Sequence, residues 1–116
     1  MSYSDLEFVI NGATTTLDKL ALERSSDNVR GYKTLTQSLT EYVGMIFNNK
    51  ITLKTYSKID SMREKVASEI INLEKVIEET IDQNDYRSHY EWVLCYRKLI
   101  YLRDTMKVRH IEKVNN

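Results

Sequence analysis

Proline is missing from this chain of 116 residues, although average usage near 5% would place about six in that length. Nothing therefore forces a helix to kink or stop by removing a backbone donor. Glycine is nearly as scarce: only Gly12, Gly31 and Gly44 occur. None of them sits in an Asn-Gly or Asp-Gly pair or in a glycine-rich cluster, so the usual marks of a hairpin or a phosphate-cradling loop are absent. A single cysteine, Cys95, excludes an intrachain disulfide framework and a thiolate zinc site, and it suits the reducing cytoplasm. Charge has no excess of either sign, with 17 basic and 17 acidic side chains, so no global field marks a general binder of nucleic acid or anionic membranes. Long apolar runs are lacking too: the longest, such as Trp92 to Tyr96, fall far short of the roughly 20 residues of a spanning helix. The expectation is a cytoplasmic protein with no membrane segment.

What the chain does contain is enough to fold. Leu, Ile, Val and Phe fill 31 of the 116 positions, above the roughly 20% below which chains stay disordered. The length suits one domain, residues 1–116, with one core. The apolar residues repeat at helical spacing throughout, at about 100° per residue. Leu6, Val9, Ile10, Ala13, Leu17, Leu20 and Ala21 define a first helix over about 4–24, with Ser4 and Glu7 spaced as a capping box and a weak point at Gly12 to Thr16 where kinking or fraying is expected. Ser25 to Asn28 read as a loop. Tyr32, Leu35, Leu39, Tyr42, Val43 and Ile46 define a second helix over about 29–48, ending at Asn48 and Asn49, residues that tolerate a left-handed cap. Thr52 caps a third over about 53–81, whose face is Tyr56, Ile59, Met62, Val66, Ile70, Leu73 and Ile77. Ile59, Val66 and Leu73 fall seven apart, but Arg63 and Thr80 interrupt the series, which favours a bundle over an extended coiled coil. Asp82 to Asp85 suit a tight turn, with Asp85 capping a last helix over about 86–114. The alternative is one uninterrupted helix of about 90 Å at 1.5 Å per residue. The fold class is all-α: a four-helix arrangement of two shorter N-terminal helices followed by a long antiparallel helical hairpin.

Net neutrality hides an uneven distribution. From Lys58 to Asp85 the chain carries 4 basic and 8 acidic residues, and from Tyr86 to Asn116 it carries 7 basic and 3 acidic. One reading pairs these charges across the hairpin, each exposed pair contributing roughly 0 to 1 kcal/mol. The other offers Arg87, Lys98, Arg103, Lys107, Arg109 and Lys113 as a surface for phosphates or an acidic partner.

The last helix is the most informative segment, because it carries two apolar sectors. Trp92, Cys95, Leu99, Leu102 and Met106 fall on one side; Val93, Ile100 and Ile111, with Tyr86 nearby, fall about a third of a turn away. Either the rest of the chain covers both, or the second sector is buried by self-association or by a partner protein. Half of the tyrosines are also here, and Tyr86, Tyr90 and Tyr101 share a stripe with Arg97. Such a stripe serves as a half-buried seam, as a protein hot spot or as a stacking surface for bases.

Candidates for chemistry are weak. His89 and His110 lie 21 residues apart and neither has a glutamate three residues before it, so the bundle di-iron pattern is missing. Glu74 and Glu78 read as a solvated stripe, Cys95 as a core thiol, and Ser88 beside His89 points about 100° away from it. No cofactor and no metal are expected. Small, proline-free helical proteins rich in Lys, Ile and Asn are common among phage and other mobile-element accessory proteins, a compositional parallel that transfers no residue role. The function expected is that of a noncatalytic accessory or regulatory protein that forms homo-oligomers and binds a protein partner through Trp92, Tyr96, Leu99 and Tyr101. The alternative is a nucleic-acid or nucleotide binding module using Tyr86, Arg87, Tyr90, Arg97, Lys98 and Arg109.

Overall fold

The computed structural model describes the backbone of residues 3–25 and 27–115 and the side chains of residues 5–25 and 27–107. Four helices follow one another: α1 (Tyr3–Glu23), α2 (Val29–Phe47), α3 (Leu53–Asp82) and α4 (Tyr86–Asn115), with no strand among the described residues. They form an all-α bundle about 48 Å long and 23 × 17 Å across.

Side-chain contacts give the order of the helices around the bundle. Gly12 of α1 lies against Tyr42 of α2, Lys33 of α2 pairs with Glu91 of α4, Tyr96 of α4 bonds Glu74 of α3, and Lys58 of α3 pairs with Glu7 of α1. The ring thus runs α1, α2, α4, α3, with α2 and α3 diagonally opposed. Asp18–Lys65 follows Glu7–Lys58 in the same direction, so α1 and α3 are parallel. Thr80–His89 and Glu74–Tyr96 run in opposite directions, so α3 and α4 make an antiparallel hairpin. Residues 48–52 cross the diagonal beneath the bundle. Five residues reach about 16 Å at most, enough for the diagonal of a square with sides of about 9–10 Å. Phe47 and Ile51 are buried there and close that end of the core.

The helical spacing read from the sequence is the one the core uses. Leu6, Val9, Ile10, Ala13, Leu17 and Leu20 of α1 are buried, as are Leu39, Val43 and Ile46 of α2 and Ile59, Met62, Val66, Ile70 and Leu73 of α3. Ala21 and Tyr56 are the departures, both at the surface. Buried threonines need partners for their hydroxyls. Thr16 donates to the Gly12 carbonyl at 2.9 Å and Thr36 to that of Tyr32 at 2.9 Å.

Several local expectations need correcting. α1 runs through Gly12 without a break, because that glycine serves a close approach: a Cβ there would stand 2.8 Å from Tyr42 Cε1. The helix starts before Ser4, whose side chain lies outside the described residues, and Glu7 pairs with Lys58 instead of turning back to cap. Asn48 ends α2 in the right-handed region at φ −80°, and Thr52 caps α3 without a side-chain hydrogen bond. The left-handed cap belongs to Asn84 after α3, at φ 56°. There the Asp85 amide donates to the Thr80 carbonyl and the Asn84 amide to that of Ile81, both at 2.9 Å, the bonding of a Schellman motif. Asp85 then accepts from the Ser88 amide at 3.2 Å and opens α4, so a turn at residues 83–85 separates the two long helices, with Asp82 still in α3.

One polar network lies inside the core. Glu69 of α3 is 5% exposed, although its sequence position between Val66 and Ile70 gives no sign of a partner. The Tyr32 hydroxyl donates to its Oε2 at 2.7 Å across the diagonal, and Arg24 pairs with its Oε1. Burial, and then the adjacent Glu69 carboxylate, hold the Tyr32 hydroxyl far above the usual tyrosine range. The Tyr32 ring packs at 4.8 Å on Trp92 of α4. Two helices and the α1–α2 link therefore meet at one carboxylate, and α4 packs on the ring of its tyrosine partner.

Candidate functional site

The outer side of α4 follows from what its inner side buries. Trp92, Cys95, Leu99, Leu102 and Met106 all face the core. At about 100° per residue, the opposite side must carry Tyr86, Tyr90, Leu94, Arg97 and Tyr101. Each of these is exposed, with Tyr86 at 68%, Tyr90 at 63% and Tyr101 at 60%. The ridge spans 16 residues, from Tyr86 to Tyr101, about 22 Å at 1.5 Å per residue. Two local contacts order its ends. The Tyr86 hydroxyl donates to Asn84 Oδ1 at 3.0 Å, and the Lys98 ammonium stands 5.5 Å over the Tyr101 ring.

A groove lies on each flank of the ridge. Between α4 and α2, depressions of about 440, 360 and 210 Å³ are joined end to end through the shared lining residues Lys33 and Thr40. Arg30, Lys33, Arg87 and Lys98 rim this side, with Glu41 and Glu91 as its acids. Between α4 and α3, a depression of about 570 Å³ has an apolar floor of Ile77, Val93 and Ile100 under Glu74, Glu78 and Arg97. The two flanks differ in sign.

Among the described side chains, charged groups of the hairpin find partners on α1 and α2. Ion pairs among the described residues include Arg24–Glu69, Lys33–Glu91, Lys58–Glu7, Lys65–Asp18, Arg63–Asp60 and Arg103–Asp104. None of these joins α3 to α4. Over the described side chains Lys58 and Lys65 of α3 pair with α1 and Glu91 of α4 pairs with α2; Arg109, Glu112 and Lys113, which the expected pairing across the hairpin also involves, lie outside them. Glu74 accepts the Tyr96 hydroxyl at 2.9 Å, and that carboxylate holds the phenol above its ordinary range.

The partner-binding set read from the sequence is split by the fold. Trp92 and Leu99 are 0% exposed and belong to the core, since α2 and α3, which flank α4, turn the first apolar sector inward. Surface contact cannot fall to them in the folded chain. Tyr96 is half-buried and tied to Glu74, and Tyr101 alone of the four is well exposed. Val93 and Ile100 of the second sector are half-covered by α3, and Ile111 lies outside the residues whose side chains are described. By contrast Tyr86, Arg87, Tyr90, Arg97 and Lys98 are all exposed on one side of the bundle, while Arg109 lies outside the described side chains. Leu94 and the α2 wall of Arg30, Lys33 and Gln37 were missed. The spacing of three and four on the polar side of α2 was the signal available for that wall.

Groups with chemical potential are used internally. His89 Nδ1 stands 3.2 Å from both the Thr80 hydroxyl and the Ile77 carbonyl, tying α4 to the end of α3. Burial pushes the Cys95 thiol up to about 11, against the opposing hydrogen bond from Thr36. Among the described residues no three His, Cys, Asp or Glu side chains converge as a metal site, and no helix is long and apolar enough to cross a membrane. No protein-family model, curated protein or solved structure matches this chain.

Proposed function

We propose that the chain is a noncatalytic accessory or regulatory protein of the cytoplasm that binds protein through the exposed ridge of α4, acting by occlusion or as a scaffold. The observation that supports this reading is the exposed stripe of Tyr86, Tyr90, Leu94 and Tyr101, with Arg97 filling the turn between the last two. Elsewhere the exposed apolar side chains stand singly or in one pair: Phe8 and Leu22 lie about 21 Å apart along α1 and Ile71 and Ile81 about 15 Å apart along α3, and only Leu53 and Tyr56 fall within a turn of each other. Isolated residues of that kind are ordinary on a surface, whereas a contiguous patch with tyrosine and arginine has the composition of a binding hot spot. A photocrosslinking phenylalanine replacing Tyr90, compared with the same residue replacing Glu64 on the outer side of α3, tests the reading in the native cell. A protein adduct from position 90 alone is expected; no adduct, or equal adducts from both positions, refutes it.

A second reading is supported by the shared exposure of Tyr86, Arg87, Tyr90, Arg97 and Lys98, which suits stacking of bases with phosphate neutralised beside them. It requires that a single-stranded oligonucleotide bind with an affinity that falls as salt rises. Absence of binding at 50 mM salt, or binding unchanged by Arg87→Ala and Lys98→Ala together, removes it.

A further inference from the structure

We propose that the occupant of the ridge is a second copy of this chain, held as a parallel two-fold pair in which the acidic α3 flank of each copy meets the basic α2 flank of the other. This rests on the protein-binding reading of α4 and names its partner.

The geometry follows from two facts about the ridge: its crest is mainly aromatic and apolar, with Arg97 among the tyrosines, and its α2 side carries more basic than acidic groups (Arg30, Lys33, Arg87 and Lys98 against Glu41 and Glu91) while its α3 side carries Glu74 and Glu78. A two-fold axis running along α4 sets the helices parallel and brings the α3 side of one copy opposite the α2 side of the other. An axis across α4 sets them antiparallel and brings α3 opposite α3 and α2 opposite α2. Only the parallel pair places Glu74 and Glu78 against Arg87 and Lys98; the antiparallel pair sets like charges together, which suppresses association.

The levels along the bundle agree as well. Glu74 lies beside Tyr96, and Glu78, one turn further along α3, lies one turn nearer the N-terminus of α4. The basic positions run from Arg87 to Lys98, so both carboxylates fall inside that span. A parallel axis preserves height, and the charges meet without any shift of register. Glu78, Arg87 and Lys98 make no ion pair among the described residues; Lys98 stands over the Tyr101 ring of its own chain and Glu74 accepts only the Tyr96 hydroxyl there. At the crest, Tyr90 faces its own counterpart near the axis. Arg97 leans toward the α3 groove, where the other copy presents its Tyr101 side and a guanidinium can lie over a phenol ring.

The test uses charge exchange in the full-length chain, with sedimentation velocity from 1 to 200 μM and circular dichroism to confirm folding. Arg87→Glu with Lys98→Glu makes both flanks acidic, and Glu74→Lys with Glu78→Lys makes both basic. Each double variant alone is expected to dissociate at least about tenfold more readily than the unaltered chain, since reversal at both flanks turns attraction into repulsion. An equimolar mixture is expected to pair again, to within about threefold of the original affinity. Direction is read separately. Tyr90→Cys in a Cys95→Ala background forms an intermolecular disulfide with itself in the parallel pair, because identical Cα atoms then approach to bonding range. A chain that remains monomeric at 200 μM, double variants that pair as well as the original, or a pair that yields no disulfide at position 90 each overturn the proposal. If the crosslinker at position 90 captures a different protein while the purified chain is monomeric, the self-pairing fails and the protein-binding reading stands. If it captures nothing, both fail.

Discussion

Tyr32→Phe tests whether the buried carboxylate of Glu69 helps to lock the bundle. The change keeps the ring that packs 4.8 Å from Trp92 and removes only the hydroxyl. Glu69, 5% exposed, then loses a donor at 2.7 Å and keeps Arg24 alone, with little water to replace it. A hydrogen bond to a charged group contributes about 1.5–3 kcal/mol, and the loss here lies in that range because the acceptor stays buried. Urea titration followed by circular dichroism should show a loss of about 2 kcal/mol with an unchanged slope, the mark of altered stability without altered denatured-state exposure. Pairing Tyr32→Phe with Glu69→Ala separates the bond from the two residues' other contacts. Direct neighbours give coupling of about 0.5–3 kcal/mol in such a cycle. A loss below about 0.5 kcal/mol, or a coupling indistinguishable from zero, would refute the network.

Burial also separates two neighbouring aromatics on α4: Trp92→Ala is expected to cost about 3–5 kcal/mol, while Tyr90→Ala stays within about 0.5 kcal/mol, and thermal melts of both that coincide would contradict the facing of the helix. At the α3–α4 turn, Asn84 holds φ 56°, so Asn84→Ala should lose about 1 kcal/mol for the left-handed Cβ whereas Asn84→Gly should not; equal losses in urea would exclude the cap. Cys95 and Tyr32 keep their protons in the folded state above the pH at which the unfolded chain releases them, at 9.0 for the thiol and 10.0 for the phenol. Their contribution is complete below pH 9. For the thiol it is lost progressively up to about 11, a fall of about 2–3 kcal/mol. The urea midpoint should therefore drop from pH 8.5 to 10.5, less so in Cys95→Ala, and a flat profile would sink the assignment.

The helical rhythm of Leu6, Val9, Ile10 and Ala13, or of Ile59, Met62, Val66 and Ile70, marked the inward faces before any coordinates, because the period that buries a stripe is a property of one segment alone. The same holds for the turn after Asp82, whose polar residues compete with the helix locally, and for Cys95 as a core thiol. The tyrosine and arginine stripe of α4 was legible for the same reason. What escaped a linear reading was everything that depends on which helix lies beside which. Trp92 and Leu99 have the composition of interface anchors, and Tyr101 has that of a seam. Only the ring order α1, α2, α4, α3 sends the first two inward and leaves the third in water. Glu69 draws Tyr32 and Arg24 across 37 and 45 residues of sequence, and Gly12 owes its place to Tyr42 on another helix. Helix spacing is written into neighbouring residues, but the covering of a surface is settled by the packing of distant ones.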